Sequence, residues 1–201
     1  MRLDHIAYRV KDRNKTAQFF IDAFGYKIQT EFEINFDDGT TAKCIALEPP
    51  EKIKASNALK IPWTDMYVCS PKTWGHTDPL ENIKQASAAN VELHLPPEIF
   101  VSDGEPGSIV GQWVEQRNGI GGIHHIAYQV ESVQAKMDEW KEKGYAEFTT
   151  EQPLTCPGLT QVFTKPSELT GVIYEFIERG EHGFCKDNVK ALMEATKTIN
   201  S

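Results

Sequence analysis

HIAYRV at His5 to Val10 returns as HIAYQV at His125 to Val130, and each copy opens a similar run of chain. A Gly-Tyr pair follows the first copy at Gly25-Tyr26 and the second at Gly144-Tyr145, with an amphipathic stretch between in each case. Repetition in register over that distance means a duplicated structural unit. Alternation in LDHIAYRV puts Leu3, His5, Ala7 and Arg9 on one face of a strand. Asp4, Ile6, Tyr8 and Val10 take the other face, and this bulkier side is the one that meets a helix.

The helix follows at about residues 14–24, where Ala17, Phe20, Ile21 and Phe24 fall at i, i+3, i+4 and i+7 and Gly25 is placed to stop it. Strands are expected over 27–35 and 41–47, around the turn Asp37-Asp38-Gly39. The second copy repeats the pattern. It has a strand over 125–130 and a helix carrying Val133, Met137 and Trp140, then strands over 146–150, 160–164 and 172–178. The expectation is an α+β fold in which two βαβββ units pair, because each is too small to bury its open sheet alone, and form a shared concave sheet. The first unit spans 1–117 with a long Pro-rich insertion at about 66–106, and the second spans 118–201 with a C-terminal helix. Two segments compete for the fourth strand of the first unit, ALKIPWT at 58–64 and VELHL at 91–95.

The chain has 201 residues, 40% hydrophobic and 25% charged, with a net charge of -8. It holds no cluster of Lys and Arg, which argues against nucleic acid or an anionic membrane surface and toward a small-molecule ligand. A homodimer is compatible with this reading. No signal-peptide pattern opens the sequence and no apolar run is long enough to span a bilayer, so a cytoplasmic protein is expected. Its four cysteines stand singly, without the close spacing of a zinc site or redox pair.

His5 and His125 hold equivalent places on a strand face lined by the small residues Ala7 and Ala127. In VIYEFIER, Glu175 stands in a strand otherwise apolar on both faces, where an unpaired carboxylate is costly and a bound cation removes the cost. Two imidazoles and one carboxylate on one face suit a divalent metal with open positions. His5, His125 and Glu175 are therefore the expected metal ligands and catalytic centre. The expected ion is a divalent metal of the Fe(II), Mn, Co or Ni kind. Alternation turns His124 away from His125. His76 and His182 lie in polar loops, and His94 is a weaker ligand candidate. The glycines at 119, 121 and 122 read as a turn into the second unit rather than a phosphate cradle.

These paired units, with DHIAYRV, IHHIAYQV and IYEFIER, resemble the vicinal oxygen chelate superfamily of glyoxalases, epimerases and extradiol dioxygenases. LKIPWTD at 59–65, NGIGGIHHIA at 118–127, TQVFTKP at 160–166 and the stretch from Glu175 to Ala195 are most similar to the C-terminal, catalytic half of 4-hydroxyphenylpyruvate dioxygenase. The resemblance implies a non-haem Fe(II) dioxygenase acting on a 2-oxo acid, with His5, His125 and Glu175 as ligands. It also implies that Gln161, Phe163, Thr64, His124 and Phe184 contact substrate. The glyoxalase fourth-ligand position falls on Lys60 or on Glu92, depending on which segment forms the fourth strand. Glu92 would make a four-ligand isomerase, epimerase or lyase site. A binding protein of the bleomycin-resistance type is the non-catalytic alternative.

Overall fold

The strand that opens with the repeated motif lies at the centre of the sheet, beside its own copy. The computed structural model describes residues 1–50, 96–180 and 185–197. The chain divides into Met1–Glu48 with Pro97–Ser201, whose architecture follows, and Pro49–Pro96. The elements are β1 (Arg2–Val10), α1 (Arg13–Phe24), β2 (Lys27–Asn35), β3 (Thr41–Glu48), β4 (Glu98–Gly104) and α2 (Ile109–Glu115). They continue with β5 (Gly121–Gln129), α3 (Val133–Glu142), β6 (Leu154–Cys156), β7 (Leu159–Phe163), β8 (Ile173–Arg179) and α4 (Lys186–Ala195).

Among the described residues the strands form one eight-stranded sheet in the order β2-β3-β4-β1-β5-β8-β7-β6. Read outward from the centre, both halves run first strand, fourth, third, second. In each half the fourth strand is parallel to the first, and the two first strands meet antiparallel. This is the expected α+β arrangement of two paired βαβββ units.

The helices form where capping and apolar spacing agree. Asp12 caps α1 by accepting the Lys15 N–H at 3.0 Å, and Gly25 ends the helix in the left-handed conformation with φ 74. Ser132 caps α3 in the same way. Ala17, Phe20 and Ile21 of α1 pack on Ile6, Tyr8, Ile45 and Val101, as the bulky face of β1 requires. On the second half, Val133, Met137 and Trp140 of α3 cover Tyr128, Val162 and Phe176. The opposite face is covered by α2 and α4: Val110, Val189 and Met193 pack with Ala7, Ala46 and Phe100, and Leu192 packs with Phe163 and Ile173.

Three expectations are corrected. The strand between β1 and β3 is β4, which lies within the range assigned to the insertion; segments 58–64 and 91–95 lie outside the described residues and do not hold that place. Buried on both faces, β4 runs Ile99-Phe100-Val101 without the alternation that marks a half-exposed strand. Residues 146–150 form no strand and contribute only a bridge from Phe148 to Thr164, while β6 supplies the edge. Phe24 is 55% exposed and leaves the α1 stripe to Ala17, Phe20 and Ile21.

The joint between β1 and β5 carries two irregularities. Pairing passes from Leu3↔Tyr128 to His5↔Ala127, skipping Asp4, and from Ala7↔His125 to Tyr8↔Ile123, skipping His124. Each skipped residue immediately precedes a motif histidine. A bulge of this kind breaks the period of two and re-aims a side chain.

Phe176 is fully buried beneath α3. Phe176→Ala is expected to cost about 3–5 kcal/mol of unfolding free energy in urea titration. Leu169→Ala, at a side chain 95% exposed, should stay within about 0.5 kcal/mol.

Candidate metal centre

The register of the central joint brings the two motif histidines together. Because His5 pairs with Ala127 and Ala7 with His125, the histidines lie diagonally across β1 and β5 with an alanine opposite each. Their Nε2 atoms are 3.1 Å apart. The neighbouring strand β8 places Glu175 beside Ala127, and its Oε2 stands 3.2 Å from each Nε2. His5, His125 and Glu175 are all buried. Three donor atoms in a near-equilateral triangle suit one cation, since cis donors about 2.1–2.2 Å from a common centre stand about 3 Å apart. Among the described residues this is the His/Cys/Asp/Glu group that could hold a metal ion.

The outer nitrogen of each imidazole is also held. His5 Nδ1 lies 2.7 Å from Asp4 Oδ1, and Arg179 fixes that carboxylate through Nη2 at 2.6 Å and Nε at 3.0 Å. His125 Nδ1 lies 2.9 Å from His124 Nδ1. The bulges explain both contacts, because each turns the residue before the histidine toward it. Alternation had sent His124 to the opposite face; instead it lines the same cavity, outside the three-donor group.

Electrostatics within the cluster are strongly coupled. Burial raises the Glu175 carboxyl, but the His5 charge and hydrogen bonds from both imidazoles prevail and lower it to about 2. Burial lowers His5, yet the charge of Glu175 and the bond to Asp4 raise it to about 9. Asp4, pushed up by burial, is pulled well below the carboxylate range by His5 and Arg179. His125 is shifted downward by burial, and His124 is shifted much further by burial and the neighbouring charge of Arg9. Without a metal, a proton on His5 therefore supplies the positive charge between Asp4 and Glu175.

The cavity is lined by Phe100 of β4, Gln161 and Phe163 of β7, Arg9, Ser102 and His124, besides the three donors, and is roofed by Val189, Leu192 and Met193 of α4. The space between its atoms is about 420 Å³, part of it open to solvent. The Phe163 ring lies tilted against His125, with centroids 4.6 Å apart and planes at 46°. Of the residues expected to contact substrate, Gln161, Phe163 and His124 thus stand around the cluster, and Thr64 and Phe184 lie outside the described residues, as do Lys60, Glu92, His76, His94 and His182.

Phe100 and Arg9 are among the cavity residues that were not anticipated. Phe100 pairs with Ala7 as Glu175 pairs with Ala127, so the place equivalent to Glu175 in the first half is held by an apolar ring. Arg9 is 2% exposed, and its Nη1 has no hydrogen-bond partner. Its place on the His5 face was visible in the alternation, and a charged residue on a core-facing row was the signal.

A family model described as the Glyoxalase/Bleomycin resistance protein/Dioxygenase superfamily matches residues 4–155, three-quarters of the chain. The chain belongs to this superfamily. The match includes both motif histidines and stops before Glu175. Among solved structures, a hypothetical protein from Bacillus halodurans C-125 is 20% identical with a TM-score of 0.55, over 92% of this chain and 98% of the other. A mutant of 4-hydroxymandelate synthase from Streptomyces coelicolor is 18% identical with a TM-score of 0.65, over 99% of this chain and 55% of the synthase. Methylmalonyl-CoA epimerase from Mycobacterium tuberculosis is 18% identical with a TM-score of 0.55, over 89% and 88%. At these identities the likeness is one of fold. A sequence comparison with curated proteins finds no match. No helix among the described residues is long and apolar enough to cross a membrane.

The shifts at the cluster set a pH signature. A folded value of about 9 for His5 against 6.5 unfolded gives stability that is complete below 6.5 and lost as pH rises through 9. The depressed Glu175 contributes above 4.5 and loses that contribution as pH falls toward 2. The chelator-treated protein should therefore lose thermal stability between pH 6.5 and 9 in calorimetry. Stoichiometric divalent metal should abolish that loss, because the ion takes the place of the His5 proton.

Proposed function

We propose that this protein is a non-haem Fe(II)-dependent dioxygenase of small chelating acids, in particular 2-oxo acids, with His5, His125 and Glu175 as the metal-holding catalytic set. One observation carries the reading: among the described residues the donors number three, and the place equivalent to Glu175 in the first half holds Phe100 rather than a carboxylate or imidazole. A two-His, one-carboxylate face with open positions is the donor set of Fe(II) oxygenases. Mn, Co, Ni and Zn fit the same nitrogen and oxygen donors less selectively. When bound, the ion supplies Lewis acidity and a meeting place for substrate and oxygen.

The chain's own residues do the rest. Asp4 and Arg179 hold the His5 ring by its Nδ1, and His124 holds the His125 ring by the same atom, so both Nε2 atoms face inward. Gln161, whose Oε1 is buried without a hydrogen-bond partner, offers an acceptor to the organic part of the substrate. Phe163 and Phe100 wall the site with aromatic surface, and Val189, Leu192 and Met193 of α4 add apolar wall. Under this reading residues 1–117 and 118–201 act as a pair sharing one site.

The alternative, a metal-dependent epimerase, isomerase or lyase, needs a second carboxylate to move a proton. Among the described residues Glu175 alone supplies a carboxylate to the cavity wall, and it belongs to the donor cluster. That disfavours the alternative, as the intact donor cluster disfavours a metal-free binding protein.

Oxygen-electrode assays with Fe(II)-loaded protein across a panel of 2-oxo acids should give substrate-dependent oxygen uptake, reduced at least about 100-fold in Glu175→Gln. Oxygen-independent exchange of substrate protons with solvent, without uptake for any acid, would assign the site to the isomerase class instead.

A further inference from the structure

Among the described residues, Arg9 is the largest side chain that the fold buries completely. Its counterpart in the repeat is Gln129, a neutral residue whose Oε1 accepts a hydrogen bond from Arg2. Arg9 Nη2 donates to Thr196 Oγ1 at 3.2 Å, which fixes the plane of the guanidinium. Nη1 has no partner, and among the described residues no carboxylate forms an ion pair with Arg9. Its other neighbours are the Trp113 ring, 5.9 Å from the guanidinium carbon, Ser102 and His124. A second cation, Arg117, lies 3.6 Å over the same Trp113 ring. Arginine stays charged at neutral pH, so burial here leaves a cation without a counter-ion on the wall of the cavity.

His124 adds a second donor. With both ligating imidazoles presenting Nε2 to a cation, His125 carries its proton on Nδ1 and gives it to His124 Nδ1, leaving the His124 proton on Nε2. That nitrogen is also buried without a partner. Two orphaned donors, one charged, thus line the cavity that holds the donor triangle, and only Ala7 separates His5 from Arg9 along that face of β1.

We propose that Arg9, assisted by His124, binds a second carboxylate of the substrate, and that the substrate is a compact 2-oxo dicarboxylate held by its oxo-acid end at the His5, His125, Glu175 cluster. The substrate class rests on the metal-centre reading; the anion site at Arg9 does not. A guanidinium whose Nη1 has no partner can donate to a carboxylate in the cavity it lines, and charge-assisted hydrogen bonds of this kind are the strong ones.

Calorimetric titration with 2-oxoglutarate and with 2-oxopentanoate, which has the same chain length but no second carboxylate, tests the pair directly on Co(II)-loaded wild-type protein. At least about tenfold tighter binding of 2-oxoglutarate is expected, with the preference lost in Arg9→Gln while one Co(II) per chain is retained. Equal affinity in the wild type, or a preference that survives Arg9→Gln, overturns the proposal and leaves the metal centre intact. A second measurement needs no metal. Acetate should raise the melting temperature of chelator-treated wild type and not that of Arg9→Met, and Arg9→Met alone should melt no lower than wild type because it removes an uncompensated charge. A lower melting temperature for Arg9→Met, with the acetate effect absent from wild type, assigns Arg9 a structural role and overturns the anion site. Failure to bind Co(II) would instead refute the metal centre, with the acetate result still deciding the anion site.

Discussion

A carboxylate enclosed between two imidazoles, out of reach of water, exists as an anion only if a positive charge shares the enclosure. Glu175 meets that condition through the proton on His5, with His125 also within hydrogen-bond reach, and the rest of the architecture follows from keeping the three in place. The antiparallel register of β1 with β5 sets the two rings diagonally, and the parallel register of β8 with β5 sets the carboxylate beside them. Shifting either register by one residue would send a donor to the helix-covered face. The apolar packing of α1 and α3 on that face therefore protects the geometry of the site as well as the stability of the fold.

Much of this was legible in the sequence because repetition and period-two alternation are read directly from side-chain order. The repeat placed His5 and His125 as equivalents, and the one acid in an apolar strand singled out Glu175. Alternation also placed Arg9 on the same face, although its significance needed burial and a missing partner to become visible. β4 was displaced because a strand buried on both sides shows no alternation, and because the Pro-rich stretch before it offered more conspicuous strand-like segments. The neighbours of the donors were misread for a different reason. Asp4 and His124 sit at bulges, and a bulge depends on cross-strand pairing that no single strand's sequence displays.

Duplication supplied symmetry, and function requires its loss. Equivalent places in the two halves now hold Glu175 and Phe100, Arg9 and Gln129. Among the described residues, the first exchange leaves one carboxylate in the cavity wall and the second leaves one arginine there.

The two bulges have a consequence for how such a site can change over time. Each places the residue that adjusts a histidine's basicity directly before that histidine in the chain, so histidine and modulator are inherited as a dipeptide. Aspartate at position 4 makes its imidazole electron-rich, while the neutral imidazole at position 124 leaves its neighbour a weaker base. A single codon on either side can therefore retune the basicity of the neighbouring imidazole while the donor atoms, the sheet register and the helices stay as they are.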